Sequence, residues 1–223
     1  MKKDDLFDLI IIGAGAAGMI AAITAAKNNK KVLLLEKLSN IGAKLRATGG
    51  GRCNLTNTLK DEDFMAKFGR DGRFMQDAIK LFGSKELQNF FKTIGVETHA
   101  PDGFRVFPTS HNSSTILNAL QKTMDNLGVI TKTSQKVIEI FQIKKKINLL
   151  ITNTDTYRCK NIIIASGGLG YPALGAEGDG YKLASKLGHT VSKLYPAMMP
   201  LKTKENWVQN CYQLLNKDNC TWE

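Results

Sequence analysis

Short apolar runs alternate with glycine-rich and polar stretches along the N-terminal part of the chain. Phe7 to Ile12 is an isoleucine-rich run of the kind expected of a strand buried on both faces, and Lys31 to Leu35 is a second such run. Between them, Met19 to Lys27 is alanine-rich and predicts a helix that ends near Asn28. A strand, a glycine turn, a helix and a strand within about thirty residues predict a βαβ unit with parallel strands. The predicted fold class is therefore α/β, with a Rossmann-like domain.

The middle of the chain predicts loops and helices with one short strand. Residues 42–57 are polar and glycine-rich, as in a loop, and Gly72 to Ile94 predicts two helices, the second capped by Ser84. Arg105 to Phe107 predicts a short strand, and a helix with one apolar face follows from about Ser113. These elements interrupt a simple alternation of strands and helices.

The stretch after residue 135 changes to short strands separated by polar turns. Three runs predict an antiparallel meander: Val137 to Phe141, Ile147 to Ile151 and Tyr157 to Cys159. The meander leads into a further buried strand, Asn161 to Ala165, and then into a helix, Tyr181 to Leu187. The C-terminal part of the domain is therefore predicted to form a sheet of mixed direction.

The sharpest local signal is the glycine cluster between the first strand and the first helix. In Gly13-x-Gly15-x-x-Gly18 the first glycine permits a tight turn, the second lets a pyrophosphate approach the backbone, and the third allows close helix packing. Glu36 closes the second strand, where a carboxylate accepts hydrogen bonds from the ribose hydroxyls of an adenosine and repels a 2′-phosphate. The glycine pattern is weak alone, but in this context it predicts a dinucleotide site.

FAD and NAD both use this fingerprint, so the choice between them depends on the rest of the chain. An NAD domain would continue with alternating strands and helices, whereas this chain has a helical excursion and then the meander. A meander before a returning parallel strand is typical of FAD domains of the glutathione-reductase type, which is an analogy of fold. The sequence therefore favours FAD.

A second constellation runs from Thr48 to Asn57. Its three consecutive glycines permit close approach of the backbone to a ligand, and Arg52 can pair with a phosphate through two hydrogen bonds. Asn54 and Thr56 add compact hydrogen-bonding groups, and the alternative interpretation is a solvent-exposed loop with a helix cap. Cys53 has no partner cysteine nearby in the sequence, which favours a passive small side chain over a redox-active thiol.

These residues resemble the BaiN/YhiN family of NAD(P)/FAD-dependent flavoprotein oxidoreductases, which includes enzymes described as aminoacetone oxidases. The resemblance covers about residues 5 to 207, and the string Gly-Arg-Cys-Asn-Leu-Thr-Asn at 51–57 carries it most specifically. Arg105 to Pro108 and Gly178 to Tyr181 match as well, whereas His111 and Glu177 depart from the family's pattern.

The resemblance implies a non-covalent FAD that passes a hydride or electrons between a small-molecule substrate and NAD(P)H or oxygen. The pyrophosphate would lie at the glycine turn, the ribose at Glu36 and the adenine at the backbone of Val137. The residues implied to bind the cofactor are Gly13, Gly15, Ala16, Ala17, Gly18, Glu36, Lys37, Lys44, Arg52, Asn54, Thr56, Val137, Ala165, Gly167 and Gly168. The resemblance assigns no catalytic residue and no metal ligand, and His99, His111 and His189 are interpreted as isolated side chains.

The resemblance also bears on domain organisation. Family members continue past an inserted substrate domain to a C-terminal segment that completes the flavin pocket. Residues 1–195 are therefore expected to form an incomplete FAD-binding domain, and residues 196–223 the start of the inserted domain with an atypical tail. The chain is interpreted as C-terminally truncated, and the alternative to an active oxidoreductase is a catalytically inactive FAD-binding remnant.

Charge and cysteine content add three expectations. The net charge is +11, but the basic residues are spread along the chain, which favours a solvated surface over nucleic-acid binding. The four cysteines form no CxxC pair, which argues against a zinc site or a disulfide framework. The uncharged stretch from Leu9 to Ala26 is only mildly apolar, so a cytoplasmic protein without a membrane anchor is expected. The substrate and the oligomeric state are left open.

Overall fold

The computed structural model describes residues 6–144 and 147–195. The chain divides into two compact units between Thr190 and Val191, and the architecture that follows is that of the first unit. The predicted boundary between residues 195 and 196 lies close to this division. It stays a prediction, because residues 196–223 fall outside the described residues.

The described part of the chain contains one six-stranded sheet and one three-stranded sheet. The strands are β1 (Leu6–Ile12), β2 (Val32–Leu35), β3 (Thr56–Asn57), β4 (Thr98–His99), β5 (Arg105–Pro108), β6 (Ile130–Lys132), β7 (Val137–Lys144), β8 (Ile147–Thr152) and β9 (Thr156–Ile164). The large sheet has the order β6-β2-β1-β9-β8-β7, parallel from β6 to β9 and antiparallel from β9 to β7. The small sheet, β3-β5-β4, is antiparallel. The predicted Rossmann-like α/β fold is confirmed.

The helices lie mostly between β1 and β6 in the sequence. The α-helices are α1 (Ala16–Lys27), α2 (Ala43–Ala47), α3 (Asp61–Ala66), α4 (Gln76–Leu81), α5 (Ser84–Thr93), α6 (Ser113–Asn126) and α7 (Asp179–Lys186). Short 3₁₀-helices cover Thr48–Gly51, Gly69–Met75 and Pro172–Leu174.

Both faces of the large sheet are buried around β1 and β2. On one face, Ile11 and Leu34 belong to a core that includes Met19 of α1 and Ile116 of α6. On the other face, Ile10 and Leu33 pack in a second core with side chains of the meander and of α7. Full burial of an aliphatic side chain contributes about 1.5–3 kcal/mol. Burial on both faces explains why β2 is a continuous apolar run and why β1 is apolar apart from Asp8.

The predicted meander is present, but its third strand does not end where the sequence indicated. β9 runs without interruption, so it is both the last strand of the meander and the parallel neighbour of β1. The polar residues Lys160 and Asn161, which follow the predicted end of that strand, are bound by Asp8 of β1. Lys160 Nζ lies 2.7 Å from an Asp8 carboxylate oxygen, and Asn161 Nδ2 donates to the Asp8 carbonyl at 3.1 Å.

The excursion between β2 and α6 is more helical than predicted. Residues 42–57, expected to be a loop, contain α2 and a 3₁₀ turn, and α3 precedes the two predicted helices. α5 begins at Ser84, but Gly83 is its N-cap, and the Gly83 N–H donates to Glu86 at 3.0 Å. The Ser84 hydroxyl instead donates to the Asn57 carbonyl at 2.6 Å, which ties α5 to β3.

None of the helices in residues 6–144 and 147–195 is both long enough and apolar enough to cross a membrane.

The thiol of Cys159 gives the fold a dependence on alkaline pH. Burial raises the pKa of this thiol from its ordinary 9.0 to about 12, although a hydrogen bond with the backbone of Ile10 opposes the shift. The unfolded chain therefore releases a proton that the folded chain keeps. The stability from this group is fully present below the unfolded pKa and is lost as the pH rises towards the folded pKa.

We expect Cys159→Ala to flatten the decline in unfolding free energy between about pH 8 and about pH 10. The measurement is urea unfolding at several pH values, compared as slopes so that the cavity left by the substitution cancels. Cys53→Ala is the matched comparison, because burial also raises the pKa of the Cys53 thiol. A slope in Cys159→Ala as steep as in the parent chain would contradict the prediction.

Candidate functional site

The carboxyl ends of β1, β2 and β9 meet at one edge of the large sheet. The Gly13 N–H donates to the Leu35 carbonyl at 2.7 Å, and the Ala165 N–H donates to the Ile12 carbonyl at 2.8 Å. The chain runs from β1 through β2 to β6 on one side of β1 and returns through β7 and β8 to β9 on the other side, so the strand order reverses at β1. In open α/β sheets, ligands bind at this edge and at this kind of strand position.

The three glycines of the turn after β1 have different surroundings. Gly13 has a φ of +105°, and a methyl group there would lie 2.6 Å from the Ala165 carbonyl oxygen. A methyl group at Gly18 would overlap the carbonyl oxygen of Gly13. Gly15 has a φ of −80°, and no atom lies within 4 Å of the position that a methyl group would take. Gly13 and Gly18 thus serve packing, whereas Gly15 faces open space.

α1 begins at this open space. Gly15 is its N-cap, and no side chain caps the helix. The first N–H groups of a helix have no partner within it, and the helix dipole places partial positive charge at that end. Because Ala16 and Ala17 line the cavity, these N–H groups are available to an anionic ligand such as a pyrophosphate.

Glu36 fixes the loop that faces the glycine turn. One of its carboxylate oxygens accepts a hydrogen bond from the Ala14 N–H at 2.8 Å, and the other accepts from the Leu38 N–H at 2.9 Å. The Gln135 N–H donates to the Glu36 carbonyl at 2.8 Å, which joins this loop to the chain between β6 and β7. Each carboxylate oxygen can accept a further hydrogen bond, so Glu36 can also bind a pair of hydroxyl groups.

These elements surround a cavity of about 290 Å³. The residues predicted to bind the cofactor that line it are Gly13, Gly15, Ala16, Ala17, Glu36, Lys37, Lys44, Val137, Ala165 and Gly167. Five other predicted residues do not line it: Gly18, Arg52, Asn54, Thr56 and Gly168. The lining also contains residues that sequence reasoning missed, among them Gln135, Lys136, Leu174, Gly175 and Asp179. No local pattern marks them, because the topology brings them together from the start of β7 and the turn before α7.

Lys44, on α2, lies against the loop that follows β9. A methyl group at Gly167 would be 2.6 Å from Lys44 Nζ, and Gly167 has a φ of +76° that favours glycine. The same loop contacts the glycine turn, since Ala165 lies against Gly13. The Lys44 ammonium group therefore lies in the cavity wall, where it can neutralise a phosphate.

The constellation from Thr48 to Asn57 lies beside the cavity, and within it only Thr48 contributes to the lining. Arg52 Nε donates to the Gly49 carbonyl at 3.2 Å, and the guanidinium carbon lies 5.2 Å from the centre of the Phe107 ring. Cys53 is a buried free thiol. The predicted contact of Arg52 with a phosphate stays a prediction.

The interpretation of the histidines as isolated is wrong for two of them. The Nε2 atoms of His99 and His111 lie 2.8 Å apart, because the turn after β5 brings His111 next to β4. The centre of the His111 ring lies 5.8 Å from that of Phe107. Phe107 therefore lies between Arg52 on one side and the histidine pair on the other. The described residues contain no group of three or more potential metal ligands.

Four charged side chains form a network at the Glu36 end of the cavity. Lys37 Nζ lies 2.8 Å from Glu177 and 2.6 Å from Asp179, and Lys136 Nζ lies 3.8 Å and 3.6 Å from the same carboxylates. Burial alone lowers the pKa of Lys37, but its hydrogen bonds to Asp179 and Glu177 raise it overall. Lys37 in turn lowers the pKa of Glu177. The network joins the end of β2 to the start of β7 and the start of α7.

The sequence of this chain is similar to those of known proteins. The family model described as the HI0933-like protein Rossmann domain matches residues 7–205. A 3-dehydro-bile acid delta(4,6)-reductase from Clostridium scindens is 35% identical over 198 residues, which cover 88% of this chain and 47% of the reductase. A ribosomal RNA dihydrouridine synthase from Haemophilus influenzae is 29% identical over 200 residues, which cover 88% of this chain and 49% of the synthase. The chain thus spans about half the length of the curated relatives it matches.

A solved structure supports the fold. The 3-ketosteroid-delta4-(5alpha)-dehydrogenase from Rhodococcus jostii superposes with a TM-score of 0.56 at 20% identity, over 75% of this chain and 47% of the dehydrogenase. At this level of identity the likeness concerns the fold alone. The family resemblance predicted from the sequence is confirmed by the matched family model.

Proposed function

We propose that this chain, which belongs to the HI0933-like Rossmann family, binds FAD non-covalently and functions as a flavoprotein oxidoreductase. One observation carries the proposal: the uncapped start of α1, with open space at Gly15, and Glu36 line the same cavity. Free N–H groups at a helix start bind a pyrophosphate, and a carboxylate at the end of the next strand binds a ribose. An ADP group contains both a pyrophosphate and a ribose.

The residues around the cavity fit the ADP half of FAD. The first turn of α1 would bind the pyrophosphate, with the Lys44 ammonium group as its counter-charge. The Glu36 carboxylate, already oriented by two backbone N–H groups, would accept the ribose hydroxyls. The buried side chains of Val137 and Leu183 would exclude water from the adenine end. Arg52, Asn54 and Thr56, beside the cavity, are proposed to contact the remainder of the cofactor.

Bound FAD supplies the redox chemistry, which is the exchange of a hydride or electrons with a substrate and with NAD(P)H or oxygen. The names of the two relatives describe the addition of hydrogen to a carbon–carbon double bond, in a bile acid and in a uridine. We therefore propose reduction of a conjugated double bond in a small molecule as the reaction class.

The first test of the proposal is the absorbance spectrum of the purified chain. We expect a flavin spectrum, with FAD released on heating, and equimolar uptake when FAD is added to protein stripped of it. Protein that is colourless and takes up no added FAD would contradict the proposal. Bound FAD that neither NADH nor NADPH reduces and no substrate reoxidises would instead favour a binding module without turnover.

RNA is the second candidate substrate. One relative is a ribosomal RNA dihydrouridine synthase, and the net charge of this chain is +11, so the prediction against a nucleic-acid partner is left open. A gel-retardation assay with uridine-containing RNA at increasing salt separates the candidates. Specific retention at physiological salt favours RNA, whereas loss of all binding there favours a small molecule.

We also propose that the protein acts in the cytoplasm. Cys53 and Cys159 are buried free thiols, and thiols of this kind persist in reducing compartments.

A further inference from the structure

We propose that Glu177 and Asp179 make the adenosine end of the site selective for a ribose without a 2′-phosphate, because they neutralise Lys37 and Lys136. The inference rests on the proposed function, since it takes the cavity to hold an ADP group. Glu36 itself repels a 2′-phosphate, and the two further carboxylates cancel a pair of lysines that would otherwise attract one.

Both lysines lie where a 2′-phosphate would be received. Lys37 follows Glu36 directly, and Lys136 follows Gln135, whose N–H donates to the Glu36 carbonyl. Lys37, Lys136 and Asp179 all line the cavity. Related dinucleotide sites accept NADP by placing a cation near the ribose, so two unpaired lysines here would have the same effect.

The two carboxylates reverse this effect. Two contacts, at 2.6 Å and 2.8 Å, occupy two of the three N–H groups of Lys37. Within the network, the carboxylate nearest to the Lys136 ammonium group is that of Asp179, at 3.6 Å. The network and Glu36 together have two cations and three carboxylates, which is one net negative charge among these five side chains. A dianionic 2′-phosphate would be repelled.

Screening by water does not remove this repulsion. The Lys37 and Asp179 side chains are each only 18% exposed, so their interaction is screened less than that of a surface pair. Glu177 is 52% exposed and contacts Lys37 from the solvent side. Glu177 is therefore the carboxylate that can be neutralised with the least disturbance of packing.

The test compares two probes that differ only in the 2′-phosphate, ADP-ribose and 2′-phospho-ADP-ribose, by calorimetric titration of the chain stripped of FAD. We expect the parent chain to bind ADP-ribose and to reject the phosphorylated probe. Glu177→Gln should raise affinity for the phosphorylated probe about tenfold, and adding Asp179→Asn should raise it by about another tenfold. Adding Lys37→Met should abolish the gain. In Glu177→Gln, whose carboxylate lies outside the cavity lining, affinity for ADP-ribose should change little.

The matched control is Glu139→Gln, which removes a surface carboxylate 3.6 Å from Lys186 and should affect neither probe. Thermal melting of each variant checks folding, and Glu177→Gln alone decides the question if the double variant melts early. A parent chain that binds neither probe would overturn the proposed function itself. Binding of ADP-ribose with no gain for the phosphorylated probe in Glu177→Gln would overturn only the selectivity inference.

Discussion

Replacing Gly15 by alanine is expected to weaken FAD binding by about a hundredfold while changing the unfolding free energy of the FAD-free chain by less than about 1 kcal/mol. Gly15 has an ordinary negative φ, and nothing lies near the position of the added methyl group, so the chain itself accommodates alanine. The methyl group would enter the space where the pyrophosphate approaches the backbone. The loss would appear only when the ligand binds.

In the same turn, Gly18→Ala is expected to lower the stability of the chain itself. Its methyl group would overlap the Gly13 carbonyl oxygen, and the start of α1 would have to move away from β1. Overpacking of this kind costs about 3 kcal/mol of stability, with or without ligand. The measurements are urea unfolding of the FAD-free variants and titration with FAD. If Gly15→Ala were as destabilised as Gly18→Ala, the division of roles between the glycines would be wrong.

The part of the site nearest the glycine turn could be predicted from the sequence because it depends on local chemistry. Gly13, Gly15, Gly18 and Glu36 follow strands that are recognisable as buried apolar runs, and a parallel sheet brings strand ends to one edge. The glycine spacing, together with the strands on either side, therefore predicts the turn, the helix start and the carboxylate. That these residues bind a cofactor stays a prediction.

The other wall of the cavity could not be predicted in this way. Lys136 and Asp179 are more than forty residues apart in the sequence, and no local pattern relates them. Their meeting depends on the position of β7 in the large sheet and on α7 packing beside it. The family resemblance implied Val137 here but gave no indication of the ion pairs around it. Long-range pairing of charges is set by topology.

Errors in the element boundaries have a similar cause. The sequence predicts that the third strand of the meander ends at Cys159, but Asp8 on the neighbouring strand binds Lys160 and Asn161 and the strand continues. α2 has no side-chain cap and only five residues, so its sequence could not be distinguished from a loop.

Glu36→Ala is expected to lower both stability and affinity. The substitution leaves the N–H groups of Ala14 and Leu38 without their acceptor, and hydrogen bonds to charged groups contribute about 1.5–3 kcal/mol each. We therefore expect a loss of about 3 kcal/mol in the unfolding free energy of the FAD-free chain. FAD affinity should fall by about a hundredfold, since the ribose hydroxyls also lose their acceptor.

Glu36→Gln separates these contributions. Its single amide oxygen can accept from Ala14 or from Leu38, but its NH₂ group must then face the other N–H as a second donor. The variant should therefore lose stability comparable to that of Glu36→Ala, despite its similar size and shape. Glu97→Gln is the control, because the Glu97 carboxylate is exposed and lies 4.0 Å from its partner Lys92. If Glu36→Gln unfolds like the parent chain while FAD binding is lost, Glu36 serves the ligand alone. If Glu36→Gln loses both stability and FAD affinity, the two backbone hydrogen bonds that build the loop also orient the carboxylate for ribose.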